Sequence, residues 1–281
     1  MKNKENEQTL LSEEIAYYYG RGREAARLSG AEGELEFLRT QEIIGRYLPN
    51  PPTIILDVGG GPGAYACWLA QKGYEVHLID PMPLHLEQAR QASQRQPEFP
   101  LRSITLGDAR ALEFSDNYAD VVLLLGPLYH LTERSDRLIA LREAFRVLKP
   151  GGLLIAVGIS QFASTFSGLI DGFFEDADFV QIAKRDLTDG QHRNPTSKSG
   201  YFTTSFFHHP LELERETAVA GFTVEKILAV EGAAVFLQNL DEQWNDPVRR
   251  KRVLEAVRWL EDEPSVIGVT GHIAAVAAKP K

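Results

Sequence analysis

Hydrophobic and polar positions along the chain fall into short apolar runs alternating with stretches of helical period. From Thr53 onward the rhythm is regular. Thr53–Val58, Tyr74–Ile79, Arg102–Leu106, Ala119–Leu125 and Leu153–Gly158 have the length and apolar content of strands. Between them, Ala64–Lys72 reads as a helix closed by Gly73, and Leu84–Gln94 as a second. A third, capped by Thr132, carries Leu138, Leu141, Phe145 and Leu148 on one face and ends at Pro150-Gly151-Gly152. Repeated strand–helix units require parallel pairing with right-handed crossovers, which predicts an α/β fold with an open, doubly wound, mostly parallel sheet.

The flanks depart from this rhythm. Ser12 is expected to cap a helix with Glu13 and Glu14 in its first turn, and Glu34–Leu48 reads as another helix. The breaker Pro49-Asn50-Pro51-Pro52 then divides a polar tail and helical lid, residues 1–50, from a main domain over 51–281. Residues 160–208 lack alternation and are rich in Phe, Asp, Ser and Gly, so they read as an insertion after the fifth strand. Pro210 opens a helix that ends at Gly221, and Phe222–Val230 is strand-like. Asp246-Pro247 opens another helix reaching about Asp262, and Val266–Ala278 supplies a last strand, expected to be antiparallel.

Composition narrows the setting. With 43% hydrophobic and 25% charged residues the 281-residue chain is globular, and no run approaches the ~20 apolar residues of a membrane span. MKNKENEQTL has no apolar segment behind it, so a secretory signal is not expected. The lone cysteine, Cys67, cannot form an internal disulfide or a cysteine metal cluster and is expected in the core of a cytoplasmic protein. A net charge of −9 argues against a nucleic-acid partner.

The segment Ile54-Ile55-Leu56-Asp57-Val58-Gly59-Gly60-Gly61-Pro62-Gly63 runs from a strand directly into a helix. Glycines there let backbone turn tightly against a ligand, and a helix N-terminus favours negative charge. Gly59, Gly61 and Ala64 formally satisfy the dinucleotide fingerprint, with Asp80 about 20 residues on. Asp57 weighs the other way. Its carboxylate would repel a pyrophosphate and attract an ammonium group.

Five segments between residues 53 and 158, taken in order, resemble the motifs of class I S-adenosylmethionine-dependent methyltransferases, a Rossmann-like fold. They are Asp57–Gly63, Asp80 at the end of the second strand, Gly107-Asp108-Ala109, Leu125–His130 and Leu148–Gly152. The resemblance implies S-adenosyl-L-methionine as cofactor. It places Gly59, Gly61 and Gly63 along the methionine part, with Asp57 near its ammonium. Asp80 would take both ribose hydroxyls, Met82 would pack on adenine, and Asp108 would accept the adenine amino group beside Ala109. Leu125 and Gly126 would border the sulfonium. The implied reaction is methylation of a small-molecule acceptor on oxygen, nitrogen or carbon. An NAD-dependent oxidoreductase shares the glycine loop but predicts neither Asp57 nor the later motifs. A catalytically silent adenosyl-cofactor-binding protein is compatible with all of them.

Candidate chemistry beyond cofactor binding is sparse. Tyr129 and His130 lie in the loop that the resemblance turns toward the acceptor, and His130 has the ordinary pKa suited to a base. Among Tyr17, Tyr18 and Tyr19, Tyr19 is the candidate lid residue, since an aromatic face near a sulfonium gains cation–π stabilisation. His209 precedes Pro210 and reads as a cap; with His208 alone it makes no metal site, and no metal is expected. The insertion is expected to shape the acceptor pocket through Phe173, Phe174, Phe206 and Phe207.

Overall fold

The alternating runs form a nine-stranded sheet in a computed structural model that describes residues 13–20, 28–196 and 198–281. The strands are β1 (Ile54–Val58), β2 (Glu75–Asp80), β3 (Ser103–Leu106), β4 (Ala119–Leu124), β5 (Leu148–Ser160), β6 (Gln191–His192), β7 (Ser205–His208), β8 (Thr223–Ala229) and β9 (His272–Ala278). β3, β2, β1, β4 and β5 lie side by side and parallel. β9 runs antiparallel along β5 from Leu153–Ala278 to Ile159–His272, and β8 pairs antiparallel with β9. The expected fold class is therefore the observed one.

The helices are α1 (Glu13–Gly20), α2 (Ala31–Tyr47), α3 (Ala64–Gln71), α4 (Pro83–Gln94), the single turn α5 (Pro127–His130), α6 (Arg134–Val147), α7 (Ala163–Ile170), α8 (Ala177–Asp189), α9 (Pro210–Val219), α10 (Leu240–Asn245) and α11 (Pro247–Leu260). Strand residues alternate between two helical layers, as a period of two demands. Leu56, Val58, Val122 and Leu124 pack with Leu141, Ala144 and Leu213 of α6 and α9. Ile55, Leu78, Val121 and Leu123 pack with Ala66, Leu69, Leu86 and Ala89 of α3 and α4. Asp57 is two residues from Ile55, so the pleat turns it toward this second apolar layer.

Several expectations need correction. The helix expected from Glu34 begins at Ala31 and is part of the core rather than only a lid. Ile44 packs on Ile55, Ile43 on Val157 and Val276, and Leu35 on Trp244. Thr132 does not cap α6; Glu133 holds the N-cap position without a side-chain bond, and the Thr132 carbonyl accepts from Arg137 and Gln191. The last strand begins at His272 instead of Val266, because the amides of Val266 and Ile267 are taken by the Glu263 carbonyl in a turn. The Ser12 cap lies outside the described residues. Asp246 does cap α11, accepting from the amides of Val248 and Arg249, and His209 caps α9 through the amide of Leu211.

The insertion holds α7, α8 and the β6–β7 hairpin. β7 pairs in parallel with β5 at Ile159–Phe207 and Ser160–His208, beyond the last β4–β5 pair, Leu124–Ala156. The hairpin thus extends the sheet over the loop that follows β4. The four phenylalanines do not line the cavities described below. Phe173 and Phe174 pack on Phe179, Phe207 packs on Tyr129 and Ile159, and Phe206 lies under the Arg137 guanidinium at 3.5 Å.

Candidate active site

The site forms at the carboxyl ends of β1, β2 and β4, where the strand order reverses and an open α/β sheet leaves a crevice. The amides of Gly59 and Gly60 both donate to the Ile79 carbonyl, at 2.7 and 3.2 Å, which folds the loop after β1 across the end of β2. Gly59 has φ +72°, and a Cβ there would fall 2.7 Å from Pro127 Cγ. Both the backbone conformation and the close approach of α5 require glycine at that position.

Asp80 organises the far wall. Its Oδ2 accepts from the Gly61 amide at 2.8 Å, and its Oδ1 from the Met82 amide at 2.8 Å and from His85 Nδ1 at 3.1 Å. Across the cavity, Tyr19 of α1 shares a 2.7 Å hydrogen bond with His130 Nε2 and sets its ring edge-on to both His85 and His130. Tyr19 therefore bridges the first turn of α4 and the loop after β4.

Two cavities share the walls Gly59, Gly61, Gly126 and Tyr129. The first also brings together Tyr19, Asp80, Met82, Asp108, Ala109 and His130. The second holds Asp57 and Leu125, with Glu36, Thr40, Val157 and His272. Gly63 reaches neither; it opens α3 in the left-handed region with Ala89 and Leu78 against it. Asp108 lies in the cavity wall, but Arg110 occupies it. Oδ1 accepts from the Arg110 amide at 2.8 Å, and the guanidinium reaches Oδ2 at 2.6 Å.

Asp57 is the electrostatic anomaly of the site. It is 1% exposed, and neither carboxylate oxygen has a hydrogen-bond partner among the described residues. Burial, and secondly the Asp80 carboxylate, push its pKa from an ordinary 3.8 up to about 7, weakly opposed by the Ala66 backbone at the start of α3. A buried carboxylate beside a cavity is costly to ionise unless a partner reaches it.

Two features were not found from the sequence. His85, read only as a helix residue, is 4% exposed, lines the first cavity and has no hydrogen-bond partner on Nε2 among the described residues. Its signal was local, since it stands in the first turn of the helix after Asp80. His272 gives no such signal. Its Nδ1 meets Glu231 Oε1 at 2.6 Å across 41 residues, while Glu231 Oε2 accepts from the His272 amide and the Thr270 hydroxyl. Burial works to raise the Glu231 pKa, but the neighbouring His272 and the hydrogen bonds from its amide and from Thr270 outweigh it and hold that pKa below its usual value. Glu36 places an oxygen within 4.8 Å of ligand atoms of both.

Comparison with known proteins follows this geometry. A methyltransferase domain model matches residues 56–156, the stretch from β1 to β5 that builds most of both cavities. A relative from Ruegeria sp. (strain TM1040), named ubiquinone/menaquinone biosynthesis C-methyltransferase UbiE, is 33% identical over 115 residues, 40% of this chain and 45% of that protein. An uncharacterised methyltransferase of Mycobacterium tuberculosis is 34% identical over 113 residues, 40% of this chain and 42% of its own length. The chain thus spans less than half the length of these curated relatives. Among solved structures, a SAM-dependent methyltransferase from Methanosarcina mazei superposes with TM-score 0.59 at 20% identity, covering 85% of this chain and 97% of that one. The [4+2]-cyclase SpnF superposes with TM-score 0.54 at 19% identity, covering 87% and 81%. Over residues 56–156 the chain matches a methyltransferase domain, and its fold is that of the solved S-adenosylmethionine-dependent methyltransferases.

Proposed function

We propose that this chain binds S-adenosylmethionine across the two cavities and transfers its methyl group to a small-molecule acceptor on oxygen, nitrogen or carbon. The observation that carries the reading is the Asp57 carboxylate, buried and unpartnered beside the glycine loop. A dinucleotide would bring a pyrophosphate to this loop and meet a like charge, whereas an amino-acid end brings an ammonium. The residues fit the cofactor. Gly59 and Gly61 offer close backbone approach, Asp57 faces the ammonium, Asp80 holds ribose, Met82 and Ala109 flank adenine, and Leu125 and Gly126 border the sulfur. Asp108 would serve the adenine amino group with the accepting capacity that Arg110 leaves it.

When bound, the cofactor supplies a methyl group already activated for transfer. The chain's own work is then orientation and, for a hydroxyl or amine acceptor, proton removal. Tyr129 walls both cavities and is assigned the positioning role. His130, hydrogen-bonded to Tyr19, stands on the ribose side as one base; His272, held by Glu231, stands on the Asp57 side as the other. The named function of the Ruegeria relative supports carbon among the acceptor atoms. The net charge of −9 supports a small molecule over nucleic acid, and the lone cysteine supports a cytoplasmic setting. Among the described residues no helix is long and apolar enough to cross a membrane.

Calorimetric titration with S-adenosylmethionine, S-adenosylhomocysteine and NAD tests the cofactor. The expected result is micromolar binding of the two adenosyl-sulfur ligands, lost in Asp80→Ala. Binding of NAD alone would replace the reading with an oxidoreductase. Bound cofactor without methyl transfer to any of a panel of hydroxyl, amine and activated-carbon acceptors would favour a silent binding protein.

A further inference from the structure

Counting hydrogen bonds around Asp80 leads past the role that the family resemblance gives it. A carboxylate has about four lone-pair sites. Three bonds from within the chain already use the Asp80 oxygens: the amides of Gly61 and Met82, and His85 Nδ1. Room remains for about one more. A ribose diol brings two hydroxyl donors, so the second needs another acceptor in the same wall.

His85 offers it. A carboxylate can only accept, so Nδ1 carries the proton of the bond to Asp80, and in the neutral ring Nε2 then keeps its lone pair. That nitrogen is buried, has no hydrogen-bond partner among the described residues, and belongs to a ring lining the same cavity as Asp80 and Met82. An acceptor left in this state costs free energy until a donor reaches it. Resting on the cofactor reading above, we propose that His85 Nε2 accepts one ribose hydroxyl of the cofactor while Asp80 accepts the other. Tyr19, edge-on to the imidazole at 5.4 Å, covers the ring from the α1 side.

Two substitutions separate this role from support of Asp80. His85→Asn puts an amide nitrogen where Nδ1 was, keeping the bond to Asp80 but removing the outer acceptor. His85→Gln puts an amide oxygen within reach of the Nε2 position. Calorimetry with S-adenosylhomocysteine and its 2′-deoxy and 3′-deoxy analogues is the readout, with melting curves as a fold control. His85→Asn should bind S-adenosylhomocysteine about tenfold more weakly, with His85→Gln recovering part of the loss. In wild type, removing either hydroxyl should weaken binding; in His85→Asn one of those two penalties should vanish. Unchanged affinity in a folded His85→Asn, or both penalties persisting in it, would overturn the assignment. Failure of the wild-type protein to bind S-adenosylhomocysteine would overturn the cofactor reading itself, a separate result.

Discussion

Asp57 is poorly placed for stability, and the proposed function turns on that placement. The pleat of β1 turns it into the layer of Ile55, Leu78 and Leu123, where a carboxylate is costly. Its pKa in the folded chain, about 7, lies above its ordinary 3.8, so the native state holds a proton that the unfolded chain has released between those values. Stability linked to Asp57 is therefore present below pH 3.8 and lost as pH rises through about 7, by roughly 4 kcal/mol when the group is fully ionised. Asp57→Asn should remove this loss and raise the melting temperature of the ligand-free protein at pH 8 more than at pH 5. The same variant should bind S-adenosylhomocysteine at least tenfold more weakly, since a neutral amide no longer attracts the ammonium. Parallel melting profiles of variant and wild type from pH 5 to 8 would mean that the buried charge is compensated in some other way. The place of Asp57 at the end of β1 was legible in the sequence, two residues before Gly59. Its lack of a partner was not, because that depends on which face of the strand meets the helices.

At the scale of elements, a buried ion pair fastens the loop after β4 to the structure around it. Arg137 of α6 and Glu216 of α9 are each about 1% exposed and meet through two bonds of 2.9 and 2.7 Å. The same guanidinium donates to the carbonyls of Leu131 and Thr132, just past α5, and lies over Phe206 of β7. Burial pushes the pKa of His208, 3.5 Å from Glu216, below its usual value, against the pull of that carboxylate. Although desolvation of Glu216 works the other way, His208 and Arg137 together bring its pKa down to about 2. A depressed carboxylate stabilises above its ordinary 4.5, and that contribution is lost as pH falls toward 2. Arg137→Met should therefore cost about 3–5 kcal/mol at pH 7, because it strands a buried carboxylate and two carbonyls. The deficit measured by urea unfolding should shrink between pH 4.5 and 2; a deficit constant over that range would assign it to lost packing instead. None of this network was legible in sequence. Arg137 reads as a polar position of an amphipathic helix, and no pattern joins it to Glu216, 79 positions further along the chain.

Across the whole molecule, what the sequence revealed was what local chemistry specifies: β-branched runs, glycine turns and the acid at the end of β2. Contacts between distant stretches decided the rest. α2 reads as a lid because the proline cluster separates it from β1, yet its Arg39 is fully buried and bonds Glu261 and the Val230 carbonyl at the other end of the chain. The insertion reads as irregular because α7 and the β6–β7 hairpin are short and unlike one another. The 13-residue α8 does carry Phe179, Ile182, Ala183 and Asp186 at helical spacing, a signal missed in the sequence. α1 connects these parts. Ile15 and Tyr19 line the first cavity, Tyr19 bonds His130, Tyr18 sits edge-on to Phe202 at 5.6 Å, and Glu14 accepts from Thr204. This helix of eight residues is too short to be stable alone, so its order derives from those contacts. A ligand filling the first cavity adds to them, and linkage sets the size of the effect. S-adenosylhomocysteine at about 100 times its Kd should stabilise the folded state by about 2.7 kcal/mol, raising the melting temperature by roughly 5–10 °C. If α1 is part of the site, its amides should show the largest slowing of hydrogen exchange on binding, while those of β4 and β5, which open only with the whole domain, should follow the global change alone. A raised melting temperature with unchanged exchange over residues 13–20 would show that the cofactor binds beneath α1 without engaging it, and would remove Tyr19 from the site.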